Sequence, residues 1–202
     1  MSLPRILIAT RNPGKVREFA QALEPEGFEV FGMDALADSG EIEETGETFA
    51  ANARLKAEVY SNRTDMLVLA DDSGIEVDAL DGAPGVRSAR YGGPGLDDEG
   101  RSRLLLRELE GVPDERRTAR FRCVLALARG GKTLATFDGV IEGRINHAPE
   151  GENGFGYDPL FFHPPSDCTT AQLSPAEKQK VSHRGQAIAA LMAALRSGWL
   201  AV

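Results

Sequence analysis

Two adjacent carboxylates, Asp71-Asp72, followed by Ser73-Gly74, stand directly after the apolar run of residues 66–70. Such a run reads as a buried strand, and α/β proteins place their sites at the carboxyl ends of strands. Successive strand side chains point to opposite faces, so one Asp can face a ligand while the other braces the chain. Two acids there suit magnesium, which takes few carboxylates and keeps several waters. An Asx turn closing the strand would use the same residues. A second acidic group, Glu41-Ile42-Glu43-Glu44-Thr45-Gly46, precedes a helical pattern. It either complements the helix dipole or brings a further metal carboxylate to the Asp pair.

Basic groups lie at matching places. Thr10-Arg11-Asn12-Pro13-Gly14-Lys15 joins a strand end to a helix start. Backbone N–H groups and the helix dipole make such a junction an anion site, and Lys15 adds a point charge for phosphate oxygens. The Walker spacing is missing, and a plain turn with an exposed lysine is the alternative. Thr48, Asn52 and Lys56 fall at i, i+4, i+8, a polar line that either borders a cleft or is a solvated helix edge.

Two more segments suit an aromatic, polar ligand. Gly154-Phe155-Gly156-Tyr157-Asp158-Pro159 sets two aromatics among small residues, so Phe155 can stack on a base, worth ~1–3 kcal/mol. A tight loop with core aromatics is the alternative. Ser182-His183-Arg184-Gly185 places Arg184 at a helix start, against the dipole. Its fork can donate to base carbonyls or phosphate, with Lys178 and Lys180 nearby; an exposed basic turn would look the same.

The elements that must position these groups follow from periodicity. Residues 5–9 and 28–31 read as strands, with a helix between them carrying Val16, Phe19, Ala20 and Leu23 at helical spacing. Residues 33–45 read as a loop. Phe49, Ala53, Ala57 and Tyr60 mark one helix face. Residues 97–109 read as a helix, and 121–128 and 133–145 as strands joined by the hairpin signal Gly130-Gly131. Residues 160–162 form a short strand. Ser174-Pro175-Ala176-Glu177 carries a capping box, and Ser182 caps a last helix with Ile188, Leu191, Met192 and Leu195 on its apolar stripe. Parallel-type and hairpin-type strands together predict a mixed sheet.

The chain has 202 residues, 42% hydrophobic and 27% charged, with a formal charge of −8. This is globular composition, of a length for one domain over 1–202. A generic nucleic-acid binder carries a basic face, so the acidic balance argues against a polyanionic polymer as partner. A small anion accompanied by a divalent cation is compatible with it. No run approaches the length of a membrane span. The start of the chain lacks the apolar core of an export signal. Cys123 and Cys168 form no metal-type pair, and together these features predict a cytoplasmic protein with reduced thiols. His147, His163 and His183 lack zinc spacing.

Taken in order, these segments resemble the inosine triphosphate pyrophosphatase family. The resemblance runs through Thr10 to Lys15, Glu43-Glu44-Thr45-Gly46, Asn52 to Lys56, Ala70 to Gly74, Gly82 to Tyr91, Gly154 to Pro159 and Leu173 to Gln186. It implies an α/β fold: an elongated mixed β-sheet flanked by helices, with two lobes around a central substrate cleft. It also implies hydrolysis of deaminated purine nucleoside triphosphates (ITP, dITP, XTP) to monophosphate and pyrophosphate, by a magnesium-dependent homodimer. Carried onto this sequence, Thr10, Arg11, Asn12, Pro13, Gly14 and Lys15 hold the triphosphate, and Lys56 contacts phosphate. Glu43 and Asp72 match the metal positions, Asp72 also the proton acceptor, and Asp71 the supporting acid. Ser73, Phe155, Gly156, Tyr157, Asp158, Lys178, His183 and Arg184 match substrate contacts. Arg11 and Gln172 depart from the usual residues at their positions. Two other readings stay open: a related pyrophosphatase acting on modified pyrimidine nucleotides, and a non-catalytic nucleotide sensor. A haloacid-dehalogenase-type phosphatase lacks support, because Asp71-Asp72-Ser73 does not have the Asp-x-Asp spacing.

Overall fold

The computed structural model of the protein describes residues 3–198, so both ends of the domain expected over 1–202 lie outside the described residues. Strand β1 (Arg5–Ile8) leads into α1 (Pro13–Leu23), whose first residue is the proline preset for that position. Then follow β2 (Glu29–Phe31), α2 (Phe49–Ser61), β3 (Leu67–Val77), α3 (Asp98–Glu108), β4 (Thr118–Arg129), β5 (Lys132–Ile145), β6 (Phe161–His163) and β7 (Cys168–Thr169). Two helices close the fold, α4 (Pro175–Val181) and α5 (His183–Arg196). Asn12, Thr48 and Asp97 cap α1, α2 and α3, Ser174 and Glu177 form the expected capping box of α4, and Ser182 Oγ accepts the Gly185 N–H at the start of α5. The expected helices and strands are all present, with edges moved by a few residues.

The seven strands form one sheet in the order β2-β1-β3-β4-β5-β6-β7. β1 runs parallel to β2 and β3, while β5, β6 and β7 pair antiparallel, so the sheet is mixed as expected. The β4–β5 turn is Gly130-Gly131, both at positive φ, which the tight hairpin demands of its central residues.

One expectation fails in an informative way. Asp71-Asp72-Ser73-Gly74 neither ends the strand nor turns it; β3 continues through all four residues to Val77. The apolar pattern resumes at Ile75 and Val77, both fully buried. Gly74 serves close approach instead of a bend: a Cβ there would meet Ser88 Oγ at 2.3 Å and Gly85 O at 2.5 Å.

The described chain divides into two compact units. Unit 1 holds the described residues up to Asp72, Cys123–Asp138, and those from Gln186 onward; unit 2 holds Ser73–Arg122 and Gly139–Gly185. Each has its own core. In unit 1, Ile6 and Ile8 of β1, Leu67 and Leu69 of β3, Leu125 and Leu127 of β4, Phe19 and Leu23 of α1, and Ile188 and Leu191 of α5 pack together. In unit 2, Ile75, Val77, Leu105, Leu109, Phe121, Ile141, Tyr157 and Phe161 do so. Among the described residues no helix is long and apolar enough to cross a membrane. Both cysteines are free thiols.

At the start of α5 the packing leaves no room for a methyl group. A Cβ on Gly185 would lie 1.7 Å from the carbonyl oxygen of Gln179 in α4. Alanine ordinarily favours a helix over glycine by ~0.5–1 kcal/mol. Here the sign should reverse: Gly185→Ala should destabilise the protein by roughly 1–3 kcal/mol, the cost of overpacking, read as a lowered midpoint in thermal or urea unfolding. An unchanged or raised midpoint would mean that α4 and α5 do not meet at this residue.

Candidate active site

Unit 1 buries an array of opposed charges. The Asp71 side chain is entirely enclosed, and its carboxylate contacts the ammonium of Lys15 from α1. Its other oxygen accepts the thiol of Cys123, Sγ to Oδ2 3.2 Å, from β4. Lys56 of α2 donates to Glu44 Oε1 at 2.6 Å and to the Asp71 carbonyl at 2.7 Å, and sits 3.7 Å from Asp72 Oδ1. Of the i, i+4, i+8 line of α2, Thr48 is exposed, Asn52 is buried and Lys56 is partly buried, so only its second and third members turn inward. Thr48 caps the helix, and Asn52 is wholly buried, its Oδ1 accepting the Gly46 N–H at 2.7 Å.

The electrostatics of Asp72 follow from this packing. Burial pushes its carboxyl up to about 6, against the pull of Lys56, and Glu44 adds to the rise. The Asn52 amide lies close enough to favour the carboxylate, short of a hydrogen bond. Lys56 answers in kind. Burial opposes its charge, but Asp72, Glu44 and Asp71 outweigh that and hold its pKa above the ordinary lysine range. Two buried atoms of the cluster, Asp72 Oδ2 and Asn52 Nδ2, complete no hydrogen bond. Unpartnered buried polar atoms are rare and cluster where a ligand or ion completes the site.

A divalent cation fits this cluster. Three carboxylates (Asp71, Asp72, Glu44) stand against two ammoniums (Lys15, Lys56), one negative charge in excess. Asp72 Oδ2 offers an unused lone pair. Among the described residues no group of three or more His, Cys, Asp or Glu side chains converges as a ready cage. A hard cation that takes one or two carboxylates and fills its shell with water and phosphate oxygens needs none. Glu43 is exposed in the loop ahead of α2, and the acid set beside Lys56 and Asp72 is its neighbour Glu44. Glu44 was not legible as a site residue, since three acidic residues in six carry no signal to choose one.

At the β1–α1 junction the ligand-free contacts are local. Asn12 Oδ1 accepts the N–H groups of Gly14 and Lys15 at 2.8 and 3.3 Å, and Thr10 Oγ1 accepts the Asn12 N–H at 3.2 Å. Arg11 is exposed and donates to the Ser39 carbonyl at 2.6 Å. An anion arriving here meets amides already capped by Asn12.

Unit 2 holds the aromatic cluster. The Phe155 ring is partly exposed, with Lys178 Nζ 5.0 Å and the Arg184 guanidinium 5.7 Å from its centroid. Lys178 pairs with Asp158 at 2.6 Å, and Arg184 Nη2 donates to Ser73 Oγ at 3.0 Å. Three other residues singled out from sequence are buried supports. Tyr157 donates its hydroxyl to the Ser88 carbonyl at 2.9 Å. Asp158 accepts the Phe155 N–H at 2.8 Å and the Thr170 hydroxyl at 2.9 Å. His183 stacks on Phe121 with ring centroids 4.8 Å apart. The loop amides are largely spent: Phe155 N–H on Asp158, Gly156 N–H on Asp98, and Asp158 N–H on the Phe155 carbonyl. The remaining donors beside the ring are the side-chain cations Lys178 and Arg184. Thr170 and Asp98 were not legible as site residues, since a threonine and a helix-start acid are common anywhere.

The raised Asp72 pKa has a measurable consequence for the metal-free protein. The folded state holds this proton more tightly than the unfolded state. The stabilising contribution is thus fully present below the ordinary carboxyl pKa near 4 and is lost as pH rises through about 6. Asp72→Asn should make the metal-free protein more stable than wild type at pH 7.5, by on the order of 1–2 kcal/mol. The difference should shrink toward pH 4. Equal stability of the two proteins across that range, by denaturant titration with chelator present, would contradict the burial of an ionised Asp72.

Comparison with known proteins extends these observations. The Ham1 family model matches residues 6–194. The chain is 50% identical to the dITP/XTP pyrophosphatase of Bacillus licheniformis over 96% of its own length and 98% of that protein. It is also 50% identical to that of Nitratidesulfovibrio vulgaris, covering 98% and 99%. A HAM1 protein from Coxiella burnetii superposes with a TM-score of 0.90 at 40% identity, covering 96% of this chain and all of that one. The dITP/XTP pyrophosphatase structure from Mycobacterium abscessus gives a TM-score of 0.77 at 43% identity, covering 93% and 98%. The resemblance drawn from the motifs is borne out at the level of the whole chain, and the protein belongs to the Ham1 family.

Proposed function

We propose that the protein hydrolyses deaminated purine nucleoside triphosphates, ITP, dITP and XTP, to the monophosphate and pyrophosphate, as a single catalytic domain over residues 1–202. The observation that carries this reading is the buried Asp71–Asp72 pair in β3, opposed by Lys15 and Lys56 and left with an unsatisfied Asp72 oxygen. The relatives of half identity that bear the name dITP/XTP pyrophosphatase support it. The magnesium requirement and the homodimer belong to the same reading and rest on the family resemblance; the cytoplasmic setting is supported by the two free thiols.

By the family resemblance Asp72, with Glu43 as the second carboxylate, would hold magnesium, which when bound offsets phosphate charge and acidifies coordinated water. The residues of the chain do the rest. Asp72 takes the proton of the water that attacks the α-phosphorus, and pyrophosphate departs. An acid displaced upward by burial is a better proton acceptor near neutrality than an ordinary carboxylate. Lys15 and Lys56 are held by carboxylates in the ligand-free protein. When a triphosphate arrives, their charge serves the oxygens of the leaving pyrophosphate. Asp71 keeps Lys15 in place.

Base choice rests on the cations beside Phe155. A 6-oxo purine accepts hydrogen bonds at the position where adenine donates them. Arg184 carries five N–H donors and Lys178 three, and neither group accepts. A site of donors leaves them mismatched against adenine, which can discriminate by ~10⁴–10⁵. Phe155 supplies the stacking face.

A turnover assay of inosine, xanthosine, guanosine and adenosine triphosphates, with and without magnesium and with both products identified, tests this directly. Pyrophosphate release from the deaminated purines, dependent on the divalent ion, is the expected result. Orthophosphate release, preference for modified pyrimidine nucleotides, or tight binding without turnover would each replace the reading. Asp72→Asn should lower kcat by roughly 10²–10⁴ with KM changed little. Glu43→Gln should raise the magnesium concentration needed for half-maximal rate, whereas Glu44→Gln should act on triphosphate KM through Lys56. The reverse pattern would move the second ligand to Glu44.

A further inference from the structure

The loop that carries Phe155 has little to hold it by its own nature. Gly154 and Gly156 both sit at positive φ, at +80° and +63°, where only glycine rests without strain. Gly154 is required for a second reason: a Cβ there would lie 2.3 Å from Asp158 Oδ2. Two glycines around one aromatic give a segment with large freedom to lose. The hydrogen bonds of Phe155 and Asp158 with one another close the loop on itself without fixing its tip.

The tip is fixed from α3. Asp98 Oδ2 accepts the Gly156 N–H at 2.8 Å, across 58 residues of sequence. Its other oxygen accepts Arg101 Nη2 at 2.5 Å, and Arg101 Nη1 donates to the Leu96 carbonyl at 2.5 Å, so the carboxylate is itself anchored. Ser102, one turn along the same helix, presents its hydroxyl 3.5 Å from the Gly156 carbonyl, a weak contact on the other side of the same residue. Asp98 is not needed to start the helix: Asp97 caps it, accepting the Gly100 N–H at 2.7 Å. An acid one residue past a working cap, reaching out to a distant glycine amide, has a role outside its own helix.

We propose that Asp98 is a positioning residue for base recognition: by holding the Gly156 amide it sets the place of the Phe155 ring. It thereby governs affinity for the deaminated purine and discrimination against adenine, and not the phosphate chemistry. This deepens the proposed function and rests on it. Asp72, Lys15 and Lys56, to which the proposed function gives the phosphate chemistry, lie in unit 1, whereas Asp98, Gly156 and Phe155 all lie in unit 2.

The test uses Asp98→Ala and Asp98→Asn in the full-length protein. Misplacing a binding group should raise KM for dITP roughly 5–20-fold in Asp98→Ala while kcat stays within about two-fold. The kcat/KM ratio of dITP over dATP should fall with it. Asp98→Asn keeps an oxygen that accepts the Gly156 N–H and should recover most of the loss. A purely structural role would lower the amount of active enzyme and leave KM and the dITP/dATP ratio unchanged, and that outcome overturns the proposal. Hydrogen exchange of the 154–158 amides, measured without substrate, reads the tie independently. Protection should drop in Asp98→Ala and be retained in Asp98→Asn, and unchanged protection in the alanine variant also overturns it. If wild-type protein leaves dITP intact, the parent reading and the base-recognition role fall together, and the exchange experiment still decides the tie.

Discussion

Two carboxylates in the middle of a buried strand are the constraint on which the rest of unit 1 depends. Asp71 and Asp72 occupy consecutive positions of β3, one wholly enclosed and one nearly so. An ionised carboxylate moved out of water without a partner costs several kcal/mol after relaxation. Neutralisation comes from two different helices, Lys15 from α1 and Lys56 from α2. Each lysine is useful only because the strand alternates its side chains and presents one acid to each. The cap on α1, the inward-facing Asn52 and Lys56 of α2 and the unbroken course of β3 are conditions for bringing these four groups together.

The solution is incomplete in one respect. Asp72 keeps a buried oxygen that nothing bonds, and burial outweighs Lys56 in setting its acidity. Stability would favour an asparagine or an apolar residue at this place. A carboxylate retained against that preference is the pattern of a site shaped for a ligand, in which the fold carries a local cost. Lysines already satisfied by protein acids carry the same meaning. They are organised in advance, so substrate binding exchanges partners without having to order two long side chains.

Unit 2 solves a different problem, that of holding an aromatic ring still. Its cations are paired with Asp158 and Ser73, and its loop amides are consumed internally and by Asp98. Recognition there is left to the ring face and to side-chain donors. Tyr157, Asp158 and His183 belong to the support beneath them: a hydroxyl bonded to the Ser88 carbonyl, a carboxylate shared by Lys178, Thr170 and the Phe155 amide, and an imidazole stacked on Phe121.

The amino-acid sequence by itself determined the elements and their ends, because caps, proline at a first helical position, glycine pairs and apolar periodicity act over three or four residues. Asn12-Pro13, Thr48, Ser174 with Glu177, and Gly130-Gly131 all do in the structure what local chemistry requires of them. It also determined the family, through ordered motifs that span the chain. It could not show that β3 runs on through its acids, since the lysines that make this possible lie 56 and 15 residues away. Nor could it separate Glu44 from Glu43, expose the loop amides as already used, or find Asp98. Each of these depends on a partner distant in sequence, and only tertiary packing decides which of several chemically equal groups meets it.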